Sequence, residues 1–187
     1  MTAESVDFNE VCEESKKLVH LTAEGEALIR QIGPKIIPHL DRVTNRFYEV
    51  LQDVPSTAAL LEGRVEHLKK THRQWLESLF TQEIDAKYTQ WMHHIGEVHV
   101  KVKLPVEFMT SGMALIQQEL LEVLAKESSL DAETRLAASK AMIALCGFSQ
   151  LVMQKSYSED TLRGELERFL TITGMSRALF NNLAAAF

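Results

Sequence analysis

Cysteine is almost missing from this chain: Cys12 and Cys146 are the only two in 187 residues, and they form no C-x-x-C spacing. A disulfide framework is thereby excluded and zinc-finger chemistry has no support; a reducing, cytoplasmic setting fits. Glycine (8) and proline (4) are scarce, and with few breakers the chain is directed toward helices. The acidic opening, residues 1–10, lacks the basic and apolar regions of a signal peptide. The longest apolar run, residues 141–148, falls far short of the ~20 residues that a membrane span needs. Cations are not in excess: 20 Lys+Arg stand against 26 Asp+Glu, a net charge of −6 that argues against nucleic acid as the main partner. No HExxH, Gly-rich phosphate loop or nucleophile elbow occurs, so no hydrolytic site declares itself.

What the chain does have is enough length for one core. A protein of 21.2 kDa buries roughly 70% of the surface its unfolded form exposes, and 45% hydrophobic with 25% charged residues is an ordinary globular balance. Apolar residues recur at three- and four-residue spacing almost throughout, without strand-like alternation. The pattern predicts an all-α domain with helices over about 6–19, from Thr22 as cap through Ile32, from Ile36 to before Pro55, 64–80, 85–102, 106–126 and 131–157. Gly33-Pro34 is expected to interrupt the second of these, and a short piece over 56–61 precedes the fourth. Asp131 is placed to cap the helix that starts after it. Residues 1–157 read as one domain and 158–187 as a separate amphipathic segment or linker, with a Leu162, Leu166, Phe169, Leu170 stripe that Gly174 interrupts. Residues 141–148 and the Met113–Leu124 region are apolar on more than one side. Either these are central core helices or one side meets a partner chain, and periodicity does not choose.

The seven histidines invite a metal reading, and spacing decides against most of it. His67 and His72 are five apart, as are His94 and His99, which puts each pair about 140° apart around a helix. His93 and Glu97 have i,i+4 spacing, which is expected to be a solvated surface contact. His99 differs. Trp91, Ile95 and His99 share one face, flanked by Val98 and Val102. A histidine on an apolar stripe is commonly a satisfied core residue; an imidazole aimed into an apolar cavity is also what a heme iron requires on its proximal side.

The segment Ile95-Gly96-Glu97-Val98-His99, followed by Leu104-Pro105, Phe108 and Gly112, resembles the proximal-histidine signature of globin-coupled sensors and protoglobins. Arg46-Phe47-Tyr48 is similar to the family's distal Phe-Tyr pair, with Tyr48 lying 51 residues before His99. Residues 65–71 resemble its distal helix, and the likeness covers about residues 20–157. It implies a globin-like fold with an extra N-terminal helix and a C-terminal helical extension. The cofactor would be heme b with His99 as the axial iron ligand. Tyr48 would donate a hydrogen bond to bound O2, Thr71 a second, and Leu68, Ile95 and Val102 would line the site. Because O2 on iron gathers more negative charge than CO, a buried hydroxyl favours O2. Alternatively, Tyr48 is a helix-packing tyrosine and Thr71 back-bonds to its own helix.

The sequence departs from the family pattern where Val106 and Phe108 replace a Pro and a Trp, beneath the heme. His72 stands where relatives can carry an aliphatic residue; surface exposure is expected, with iron ligation in the gas-free state as the alternative. The resemblance also implies that the two broad apolar helices form a homodimer's four-helix bundle, and that a ligation-dependent shift in their packing carries the signal. Residues 172–180 are similar to the opening of a diguanylate cyclase domain, one residue short and without its Asp and Pro-Asn. The catalytic body of such a domain is absent, so the expectation is a non-enzymatic O2 sensor, with CO and NO as further ligands and no membrane partner. The alternatives are a heme enzyme with peroxidase, O2 or NO chemistry, and a heme-free globin-like regulatory dimer.

Overall fold

The computed structural model describes residues 6–184. Several helices begin where a short polar side chain satisfies free N–H groups. Asp7 accepts from the Asn9 and Glu10 amides ahead of α1 (Phe8–Leu18). The Thr22 hydroxyl accepts the Gly25 N–H at 3.1 Å ahead of α2 (Ala23–Ile36). A single 3-10 turn, Ile37–His39, leads into α3 (Leu40–Asp53), and α4 (Pro55–Leu61) and α5 (Val65–Thr81) follow. Asp85 caps α6 (Ala86–Lys101) through the Tyr88 N–H at 2.8 Å. Then come α7 (Val106–Lys126), α8 (Ala132–Thr173) and α9 (Arg177–Ala184). Asp131 caps α8 by accepting the Thr134 N–H at 2.7 Å, as its position predicts. No strand occurs among the described residues.

Gly33-Pro34 does not interrupt its helix: α2 runs through both to Ile36. Pro34 sits in the last turn, so the one intrahelical bond it removes is that to the Arg30 carbonyl. Gly33 is there for space, since a Cβ would lie 3.2 Å from Phe80 Cβ and 3.3 Å from its carbonyl oxygen, where α2 crosses α5. The chain also does not break after Tyr157. Helix α8 continues unbroken to Thr173, 42 residues in all, and ends at Gly174 in the left-handed conformation, φ 66°. The Ser158 and Thr161 hydroxyls donate back to the Gln154 and Tyr157 carbonyls one turn earlier and stay inside the helix. Beyond Gly174, α9 folds back so that Phe180 meets Phe169 edge-on at 6.1 Å and Leu170 is buried.

Helix α8 is the centre of the domain and packs on α1, α2, α6 and α7. Met142, Leu145, Cys146, Phe148 and Val152 are sealed against Ile29, Met92, Leu120 and Leu124. Burying each large side chain contributes about 1.5–3 kcal/mol. An 18-residue stretch of α8 has a mean hydropathy of 1.5, and 56% of it is buried inside the domain, as befits a core helix. It is not buried all round: Leu136 (58% exposed) and Ile143 (48%) face outward, seven residues apart on one stripe.

Candidate functional site

His99 lies in the last turn of α6, and two backbone features fix it there. One turn before it, Gly96 brings α6 onto α8 so closely that a Cβ would stand 2.5 Å from the Met153 carbonyl oxygen and 2.8 Å from Ser156 Oγ. Ser156 Oγ donates to the His93 carbonyl at 2.9 Å across the same crossing. After His99 the helix is closed by a Schellman motif: the Leu104 N–H reaches the His99 carbonyl at 2.9 Å, and the Lys103 N–H reaches that of Val100 at 2.9 Å. Lys103 supplies the left-handed residue, φ 57°. Leu104 therefore ends α6 and Pro105 opens α7, which gives the His-to-Leu-Pro spacing a mechanical reason.

The His99 side chain is half-buried, its Nδ1 is shut off from solvent without a hydrogen-bond partner, and burial holds its pKa below the usual histidine value. Its imidazole is thus neutral at pH 7. Ile95 is half-buried beside it, while Val98 and Val102 are exposed apolar side chains.

Across the domain, α3 carries Tyr48, buried to 5% exposure. Its ring stands edge-on to Phe47 at 5.1 Å and to His72 at 5.7 Å. Phe47 stacks flat on His72 at 4.7 Å and rests on Gly112 of α7, where a Cβ would lie 3.3 Å from its ring. Trp75 completes the cluster, 5.6 Å from His72. Burial raises the Tyr48 pKa above its ordinary value, so the phenol keeps its proton and remains available as a hydrogen-bond donor. Leu68 is half-buried one turn before His72. Thr71 is exposed, and its hydroxyl donates to the Leu68 carbonyl at 3.1 Å within its own helix.

Two sequence expectations need correction. His72 is not a surface residue: both ring nitrogens are sealed from solvent with no partner, and burial pushes its pKa down to about 4. Its i+4 relation to Leu68 and its place before Trp75, Leu76 and Leu79 are the stripe that signalled this. Trp75 itself was missed for the same reason. His93 is likewise buried (5% exposed) rather than solvated; its Nε2 lies 3.3 Å from Glu159 on α8, and Phe8 of α1 covers its ring at 5.5 Å.

The Tyr48–His72 cluster sits on α3 and α5, which pack on each other, and His99 sits on α6, which packs on α1 and α8; no extended contact joins α5 to α6. No hydrogen bond links His99 to Tyr48 among the described residues. No group of three or more His, Cys, Asp or Glu side chains able to hold a bare metal ion occurs among them either. An iron would have to arrive in a ring that brings its own nitrogens. A neutral imidazole with an unpartnered nitrogen, on a helix face that also carries Ile95, Val98 and Val102, fits the axial donor that a heme needs.

Similarity to known proteins agrees with this geometry. The globin domain of a Geobacter sulfurreducens globin-coupled sensor superposes with a TM-score of 0.72 at 27% identity, covering 78% of this chain and 96% of that domain. The ferric globin domain of E. coli DosC superposes with a TM-score of 0.67 at 20% identity, over 78% of this chain and 99% of that domain, which shows a shared fold. Diguanylate cyclase DosC of Shigella boydii is 25% identical over 109 residues, 56% of this chain but 24% of the relative; for the Shigella flexneri protein that last share is 29%. The chain thus spans about a quarter of the length of the curated relatives it matches. Globin domains of this type bind heme. The Protoglobin family model matches residues 8–163, and the chain is a member of the protoglobin family.

Proposed function

We propose that this chain binds heme b through His99 and works as a non-catalytic, O2-responsive sensor domain. The observation that carries the reading is the neutral, half-buried His99 with its unpartnered ring nitrogen, held at the end of α6, in a domain that also buries the Tyr48 hydroxyl among aromatic rings. Heme, when bound, supplies a ferrous iron that takes up a diatomic gas. His99 holds that iron. Ile95, Val98 and Val102 would give the ring an apolar bed, and Leu68 would help to exclude water. Tyr48, protonated and buried, donates a hydrogen bond to a gas ligand that draws negative charge onto itself, and so prefers O2 to CO.

Gly96 supports a route for the signal. Because α6 touches α8 backbone to backbone one turn from His99, a movement of His99 is passed to α8 without a soft side chain between. The outward-facing Leu136 and Ile143 of α8 suit a homodimer in which α7 and α8 of two copies form a four-helix bundle. Residues 1–157 act as the sensor domain, and the extension from 158 leads toward an output module. The DosC relatives carry the name diguanylate cyclase, and residues 172–180 resemble the opening of such a domain. A cyclase or another signalling output is therefore the partner, with the two buried free thiols fitting the cytoplasm.

The test is an absorption spectrum of the purified, heme-loaded protein, reduced and then under O2 and CO. A heme spectrum that changes with both gases supports the proposal, together with loss of heme from His99→Ala. A Tyr48→Phe variant should release O2 at least tenfold faster while CO release changes little. Unchanged heme binding by His99→Ala would overturn the assignment.

A further inference from the structure

The two ring nitrogens of His99 sit in different surroundings. Nδ1 is sealed from solvent and makes no hydrogen bond, whereas Nε2 is not sealed, and no side chain among the described residues occupies it. Nε2 is therefore the nitrogen left to meet an iron, and Nδ1 is the one left to carry the proton of the neutral ring. A metal-binding histidine ordinarily donates that proton to a carboxylate, a backbone carbonyl or water. The bond locks the ring and makes its other nitrogen a stronger electron donor. His99 has no such acceptor.

The groups that could have served are engaged elsewhere. Glu97, the nearest carboxylate along the chain, is turned to the other histidines of α6: its Oε2 lies 3.1 Å from His94 Nδ1 and its Oε1 3.8 Å from His93 Nδ1. The carbonyls that a helix end leaves free are closed by the turn that follows. Val98 takes the Val102 N–H at 3.0 Å, His99 takes that of Leu104 at 2.9 Å, and Val100 takes that of Lys103 at 2.9 Å. Ser156, the hydroxyl at the Gly96 crossing, donates to the His93 carbonyl. Ile95, Val98 and Val102, which surround His99 on its own helix, have no side-chain atom that can accept.

We propose that His99 is a weakly held, releasable iron ligand, and that the gas which releases it is nitric oxide. This rests on the heme reading given above and adds to it the gas that the site treats differently. An imidazole whose N–H is unbonded donates less electron density than one anchored to an acceptor, so its bond to iron is the weaker. NO brings an odd electron, which enters the orbital that the opposite ligand also uses and weakens that bond further. CO and O2, each with an even count, place no electron there. Release breaks one coordinate bond: the electron pair stays on Nε2 and the proton stays on Nδ1. The last turn of α6 is then free of the iron, whereas with O2 or CO it remains attached. Because Gly96 seats that helix on α8, the domain has two distinguishable gas-bound states, one with His99 attached and one with it free.

The experiment uses the full chain loaded with heme, as wild type, Ile95→Asn and Ile95→Ser. Residue 95 lies one helical turn before His99 on the same face, so either substitution offers an oxygen to Nδ1. The serine variant carries the test if the asparagine variant fails to fold. Electron paramagnetic resonance of the reduced protein with one equivalent of NO, with and without isotopic nitrogen labelling of histidine, reports whether a histidine nitrogen remains on the iron. Resonance Raman scattering just after photolysis of the CO complex gives the iron–histidine stretching frequency. In the wild type the NO spectrum should show splitting from the NO nitrogen alone, with the histidine retained under CO. The variants should raise the stretching frequency and lower the histidine-free share at least tenfold. Histidine splitting that persists in the wild type under NO overturns the proposal and leaves His99 ligation standing. A histidine-free share undiminished in both variants does the same. Absence of any heme spectrum in the wild type overturns both.

Discussion

Gly96→Ala is the substitution that most directly probes the seat of His99. The added Cβ would sit 2.5 Å from the Met153 carbonyl oxygen and 2.9 Å from Met153 Cα, against the 3.4 Å or more of an ordinary contact. The obstacles are backbone atoms, so no rotamer change relieves them and the α6–α8 crossing must open by nearly 1 Å. Overpacking of this kind costs about 1–3 kcal/mol. Opening also strains the Ser156–His93 hydrogen bond, worth about 1 kcal/mol. Alanine returns about 1 kcal/mol through helix propensity. The net expectation is a loss of about 2 kcal/mol, or a Tm lower by ~4–8 °C for a chain of this length. Gly164→Ala is the matched control, since it too lies inside a helix but a Cβ there meets nothing within 4 Å. It should gain up to about 1 kcal/mol. Urea titration of the heme-free protein, followed by far-UV circular dichroism, measures both. A Gly96→Ala protein as stable as wild type would refute the close crossing and the signal route built on it.

Other expectations follow from the same structure. Lys103→Gly relieves a lysine from φ 57° in the Schellman turn and should raise stability by about 0.5–1 kcal/mol in a thermal melt, leaving the end of α6 where it is. The heme-free protein should lose stability on acidification: His72 has a folded pKa of about 4 against 6.5 unfolded. The unfolded chain therefore binds its proton first. The contribution is complete above pH 6.5 and falls by up to about 3 kcal/mol as pH drops to 4. His72→Leu should flatten that part of the curve and raise stability at pH 7, and a steeper acid loss in the variant would contradict the burial argument. Cys146 is fully enclosed and its thiol is pushed up to about 12, so a thiol reagent should reach it only after denaturation. Labelling of Cys146 at native-state rates typical of an exposed thiol would show an open core.

The helices and most of their ends were legible because local physics sets them. Thr22, Asp85 and Asp131 cap where a polar side chain precedes an apolar period, and the His99 segment with Tyr48 upstream was readable as a spaced pattern. The errors share one cause, that a residue's local tendency was overridden by what lies beside it in space. Gly33 reads as a breaker but answers the approach of Phe80. Residues from 158 on read as a separate segment, but Ser158 and Thr161 bond back to their own helix and α8 runs on. His72 and His93 read as surface residues; the stripe from Leu68 to Leu79 hinted otherwise for the first, and Phe47 and Trp75 for one and Phe8 and Glu159 for the other account for their burial. That His72 and His99 lie on helices with no extended contact between them is a property of the assembled domain and has no counterpart in any one segment.

The length of α8 has a geometric consequence. At 1.5 Å per residue its 42 residues extend about 63 Å, and the stretch from Met153 to Thr173 reaches about 30 Å beyond the Gly96 crossing. The crossing is thus a fulcrum and the extension a lever. A tilt of about 4° there, set off by a sub-ångström movement of α6, swings the far end by roughly 2 Å. A shift too small to alter the packing of the domain becomes, at Gly174, a displacement of ångströms.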